Sequence, residues 1–158
     1  MISKEDINRF IDDCYEGNYE AVQEALDNYM IADCVDEHGT TPLLAAINGE
    51  QAEIVGCLTT WGADVNKGPH TALHELFDYA IDGMIQNQEE TINPALLEIL
   101  EELLACKADL HQLNSVGKRP IDSLNTYSAT PEAFNKLKDQ FRPLIPKIDE
   151  IIEFEDKN

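Results

Sequence analysis

The sequence predicts an all-α protein, a solenoid of stacked helix pairs joined by short hairpin loops, and three observations lead there. A turn–helix–turn–helix–turn unit spans residues 36–66, part of it recurs 33 residues upstream, and apolar residues fall at helical spacing. A chain of 158 residues with 43% hydrophobic and 27% charged content has enough material for one folded domain.

The unit at 36–66 is the clearest. Gly39 supplies the positive φ of a tight turn, Thr41 caps a first helix, and Pro42 takes its first position, where a missing N–H costs nothing. Asn48-Gly49 ends that helix. A second helix, with Ile54, Val55 and Leu58 facing inward, runs to a stop at Gly62. Upstream, Phe10, Ile11 and Cys14, then Gly17-Asn18 and Glu20-Ala21-Val22, predict an earlier helix pair, with Glu20 preceding Glu53 by 33 residues. That pair lacks a hairpin and carries Asp12 and Asp13, as a terminal cap facing water would.

The run Asp36-Glu37-His38-Gly39-Thr40-Thr41-Pro42-Leu43-Leu44-Ala45-Ala46, followed by Glu53-Ile54-Val55 and Gly62-Ala63-Asp64-Val65-Asn66, resembles the ankyrin repeat. That family's pattern is D-x-x-G-x-T-P-L-H-x-A-A, a helix break, E-I-V and G-A-D-V-N; here Leu44 replaces the His. The resemblance implies about four units, near 4–35, 36–66, 67–113 and 114–142, with 143–158 as a C-terminal capping segment. The third unit starts at Thr71-Ala72-Leu73-His74 and closes at Lys107-Ala108-Asp109-Leu110-His111, but it is irregular. Thr71 to Glu98 spans 27 residues where Thr41 to Glu53 spans 12, so about fifteen residues are inserted between its helices.

Leu73, Leu76, Phe77, Ala80, Ile81 and Met84 extend the first helix into that insertion, and a polar stretch follows from Gln86 to Glu90. Asn93 and Pro94 then cap a helix through Leu96, Leu97, Leu100, Leu103 and Leu104. The fourth unit starts at Asn114 with Gly117 in its turn, has Arg119-Pro120-Ile121-Asp122 where T-P-L-H would stand, and opens its second helix at Thr130-Pro131-Glu132. Ile148, Ile151, Ile152 and Phe154 predict a short helix folding back over the open end of the stack.

Charge narrows the partner. With 31 acidic residues against 11 Lys and Arg, the net charge is −20, which repels phosphate backbones and anionic lipid. The expected partner is another protein, and a basic one, rather than nucleic acid or a membrane. Cys14, Cys34, Cys57 and Cys106 form no C-x-x-C pair and read as reduced thiols. The first residues turn charged at once, and no segment approaches the roughly 20 apolar residues of a membrane span, so a cytoplasmic monomer is expected.

Signals for chemistry are weak. His70 and His74 have the i,i+4 spacing of metal sites, but the resemblance implies that His74 bonds backbone between neighbouring units. The adjacent carboxylates Asp12-Asp13, Glu89-Glu90 and Glu101-Glu102 point in different directions on a helix and read as a solvated face. With no G-x-S-x-G and no phosphate-cradling glycine loop, the expectation is a non-catalytic protein without metal or cofactor.

In ankyrin stacks the hairpin tips and the exposed ends of the first helices line a concave binding face. Carried over position by position, this selects Tyr15 and Glu16; Glu37, His38, Thr40 and Asn48; Lys67, His70, Asp78 and Tyr79; and Ser115, Val116, Lys118, Thr126 and Tyr127. Tyr15, Tyr79 and Tyr127 occupy nearly equivalent positions and so form either an exposed row or packing residues with wet hydroxyls. Trp61, at the end of a second helix, reads as a packing residue, and 82–93 as either a loop or a binding arm. The resulting expectation is an inhibitor that masks a basic partner such as a toxin or nuclease, as small acidic ankyrin-type immunity proteins do. The alternative is an adaptor or scaffold that recruits a protein without inhibiting it.

Overall fold

A computed structural model describes residues 1–157. Its helices are α1 (Lys4–Glu16), α2 (Tyr19–Asn28), α3 (Pro42–Asn48), α4 (Ala52–Thr60), α5 (Ala72–Gln86) and α6 (Pro94–Ala105). A 3-10 turn (Pro120–Asp122) then leads into α7 (Ser123–Thr126), followed by α8 (Pro131–Phe141) and α9 (Ile148–Ile151). The described residues contain no strand, and no helix among them is long and apolar enough to cross a membrane.

Local chemistry sets the boundaries. Ser3 and Asp6 form a reciprocal capping box at the start of α1, and the Thr41 hydroxyl accepts from the Leu44 N–H ahead of Pro42. Asn93 accepts from Ala95 ahead of Pro94, and Thr130 from Ala133 ahead of Pro131. Each cap satisfies an N–H that the first turn leaves without a helical partner. Gly17, Gly39, Gly62 and Gly117 all adopt positive φ, between 76° and 86°, at helix ends or turns.

Helices adjacent in sequence pack as pairs, α1 on α2, α3 on α4, α5 on α6 and α7 on α8. The pairs join laterally, through α1–α3, α3–α5 and α5–α7 on one side and α2–α4 and α4–α6 on the other. One continuous core results, with Phe10, Ile47, Ile54, Leu73, Phe77, Ile99, Phe134 and Phe141 all at or below 2% exposure. Between the pairs, the same side-chain bonds recur. Asp33 accepts from the Asp64 N–H at 2.9 Å, and Asn66 from the Asp109 N–H at 2.7 Å. Asp36 accepts from His38 and Thr40, and Asn114 in the same way from Val116 and Lys118. Short polar side chains thus satisfy turn N–H groups that would otherwise need water.

The segment expected to be an insertion has a defined place. Ile92 is 2% exposed in the core, and Gln140 on α8 clamps the neighbouring backbone, accepting from the Ile92 N–H at 3.2 Å and donating to the Glu90 carbonyl at 3.4 Å.

After α9 the chain runs extended along α7 and α8. Asn125, 6% exposed, donates to the Glu153 carbonyl and accepts from the Glu155 N–H. The Lys157 ammonium reaches the carbonyls of Asn125, Thr126 and Ser128, and Phe154 meets Phe134 edge-on.

Trp61 departs from its expected packing role. It is 44% exposed, because as the C-cap it lies past the last inward turn of α4, whose core positions are Cys57 and Leu58. The cysteines are free; burial pushes the Cys14 thiol well above the ordinary range and that of Cys34 to about 11, so neither is a ready nucleophile.

Candidate functional site

Three tyrosines from three first helices share one face. Tyr15 lies in the last turn of α1 and is 52% exposed; Tyr79, in the middle of the lengthened α5, and Tyr127, the C-cap of α7, are half-buried. Burial, then the charge of Glu50, and then Tyr15 raise the Tyr79 hydroxyl above its ordinary pKa. Burial, then Asp78 and Asp82, do the same for Tyr127. Glu50, Tyr79 and Asp82 line one recess, Tyr127 lines the hollow adjoining it, and the Tyr15 carbonyl meets Gln51 next to Glu50, so tyrosines and carboxylates make one strip. Asp78 is held in that strip by the Ser123 hydroxyl.

The two ends of the strip are fixed differently. Gln51 donates to the Tyr15 carbonyl at 3.2 Å, tying the end of α1 to the start of α4. Glu50 takes its place through a left-handed backbone, φ 59°, just after the break at Gly49. Asp82 lies one turn on from Asp78 and is exposed.

The hairpin residues occupy the turns. Glu37 pairs with Lys4 at 2.6 Å and lies 3.7 Å from the ring of His38, which is exposed. Thr40 uses its N–H on Asp36, while Asn48 ends α3 and is half-buried. Glu16, Ser115, Val116, Lys118 and Thr126 are exposed, Val116 at 76%. Lys67 is tied into the fold, its ammonium donating to the Asp33 carbonyl at 2.7 Å. This removes it from the set of contacts open to a partner.

The two histidine rings lie 5.8 Å apart, centroid to centroid, but have different hydrogen-bond partners. Both His74 ring nitrogens are engaged, Nδ1 with Thr71 and Nε2 with the Lys118 carbonyl at 2.8 Å, so this buried ring joins α5 to the following hairpin. His70 meets Glu75 at 2.8 Å. Among the described residues, no group of three or more His, Cys, Asp and Glu side chains is arranged to hold a metal ion.

The hydrogen bond to Glu75, opposed by burial, raises the His70 pKa above 6.5. A raised histidine pKa contributes stability that is complete below the unfolded-state value near 6.5 and is lost as pH rises through the folded value. An NMR titration is expected to place His70 above 6.5 and to move it down in Glu75→Gln. An unchanged midpoint in that variant would show that the pair does not set it.

Sequence reasoning missed Glu50 and Gln140, and it placed Asp82 only in the inserted segment 82–93, not beside the tyrosines. Asp82 was accessible as the i+4 neighbour of Asp78, and Glu50 as the residue following the Asn48-Gly49 break. Nothing local marks Gln140, whose partners lie 48 and 50 residues away.

No family model matches the chain.

Proposed function

We propose that the chain is an ankyrin-type repeat protein that binds another protein of basic surface and carries out no catalysis of its own. The observation that carries this reading is the strip of Tyr15, Tyr79 and Tyr127 interleaved with Glu50, Asp78 and Asp82. Tyrosine presents a large, stiff contact area with a polar tip, and carboxylates beside it select cationic groups on the other side. The joining of successive helix pairs, the repeated Asp/Asn turn bonds and the His74 bridge to the next hairpin support the repeat architecture. The concrete form is an immunity-type inhibitor: its carboxylates stand where phosphates would in the substrate groove of a toxin such as a nuclease, and so occlude it. Four free cysteines suit a reducing, cytoplasmic setting for a protein that is monomeric until it meets its partner.

The test is calorimetry against a panel of basic proteins, including nucleases, over a salt series from about 50 to 500 mM. Affinity is expected to fall by roughly tenfold or more across that range, and the partner's activity to be lost in the complex. Changing all three tyrosines to Ala is expected to remove about 2 kcal/mol or more of binding. Salt-independent binding would refute the charge argument, and full activity in the complex would make the protein an adaptor instead.

A further inference from the structure

The segment between α5 and α6, packed on α8, encloses a trough that lies beside the tyrosine strip. Its larger part, about 540 Å³, has Met84, Ile85, Ala133 and Leu137 as apolar lining, with Tyr127 forming part of the wall and Glu89, Glu90, Lys136 and Asp139 as the charged residues. Across the shared residues Met84, Glu89 and Thr91 it adjoins a recess of about 130 Å³. The charged residues lining that recess are Glu50, Asp82 and Glu89, with no Lys or Arg among them. The trough is built into the fold, because buried Ile92 and the Gln140 clamp hold its inserted wall against α8.

We propose that this trough receives an extended segment of a partner protein in which an arginine or lysine lies close to a bulky aliphatic residue. The inference rests on the protein-binding reading and specifies its ligand. The two compartments differ in a way that assigns each half. The charged lining of the recess is three carboxylates with no Lys or Arg, so a guanidinium or ammonium head is attracted there, and the small volume suits one side-chain tip. In the larger part the charges are closer to balance, since Lys136 lies on the rim and Arg142 bonds Asp139 at 3.1 Å. Glu89 and Glu90 stand at the edge of this part, and between them and α8 lies apolar surface, including Ile85 at 44% exposure, which an aliphatic side chain covers. An acidic segment would be repelled from the recess, and a purely cationic one would leave the apolar part wet.

The probe is an acetylated, amidated hexapeptide of alternating arginine and leucine, titrated into the full-length ¹⁵N-labelled chain. Its arginine–serine and glutamate–leucine counterparts serve as comparisons. The expected result is amide shifts centred on Gly83, Thr91 and Gln140, an affinity for the arginine–leucine peptide about fivefold or more above arginine–serine, and no binding of glutamate–leucine. Ile85→Asp and Glu89→Gln, both at exposed positions and checked by an unchanged thermal midpoint, are each expected to weaken the first peptide about fivefold. Equal affinity for the arginine–leucine and arginine–serine peptides would overturn the proposal. Shifts confined to the hairpins around Glu37 and Lys118 would overturn the trough while leaving a cationic partner in place. No shift with either cationic peptide would overturn both.

Discussion

Phe77→Ala is expected to destabilise the protein by about 3–5 kcal/mol, the range for deleting a fully buried aromatic ring. Phe77 is wholly buried on α5, and its ring centroid lies 4.8 Å from that of Phe141 on α8. The pair joins the third helix pair to the fourth at the place where the inserted segment enters. A cavity here collapses poorly, because α5 is held on either side by α3 and α7 and cannot move toward one without leaving the other.

For a chain of this size the loss corresponds to a fall of about 6–20 °C in thermal midpoint, read by circular dichroism. Because the main helix contacts run from each pair to the next, it should also uncouple the two ends, so that tryptophan fluorescence at Trp61 and far-ultraviolet ellipticity no longer change together. Ile85→Ala on the same helix is expected to stay within about 1 kcal/mol, since that side chain is 44% exposed. A loss below about 1 kcal/mol for Phe77→Ala would show that the joint does not depend on this ring pair.

Gly49→Ala is expected to destabilise by about 1–3 kcal/mol, against the usual direction for a glycine whose backbone any residue can adopt. Gly49 has φ −87°, so there is no conformational objection to a side chain. The objection is space: a Cβ there would stand 2.0 Å from the Tyr15 carbonyl oxygen and 2.9 Å from its carbon. Backbone cannot rotate out of the way as a side chain does, so α1 and α3 must part. Parting them shifts Tyr15 and strains the Gln51 bond to its carbonyl.

Gly56→Ala supplies the matched comparison. Gly56 lies inside α4 with nothing within 4 Å of its would-be Cβ, so Ala there is expected to stabilise by about 0.5–1 kcal/mol through helix propensity. Urea melts of the two variants should therefore move in opposite directions. Stabilisation by both would mean that α1 and α3 have slack at their contact. The Gly49 variant also bears on function, since Tyr15 forms one end of the proposed binding strip.

The helix boundaries were legible because their causes lie within a few residues of one another. Thr41-Pro42, Asn93-Pro94 and Thr130-Pro131 each carry a cap and a first position side by side, and Gly39 and Gly117 have the positive φ their turns require. His74 bonds the backbone of the next hairpin as the resemblance implied, while the tail begins with the expected short helix but turns extended at Ile152, so Phe154 lies outside it. Trp61 was misjudged because burial at a helix C-cap depends on what is packed beyond it, which helical periodicity does not report.

The sequence by itself determined the helices, their caps, the 33-residue recurrence and the acidic surface, since each is set by neighbouring residues or by composition. Tertiary structure alone decided that Glu50 and Asp82 join the tyrosines, that Lys67 is withdrawn onto the Asp33 carbonyl, and that the inserted segment becomes the wall of a trough. The physical reason is range. Gln140 meets Ile92 across 48 residues and Lys67 meets Asp33 across 34, and such contacts form only once the packing of several helices has brought those backbones together.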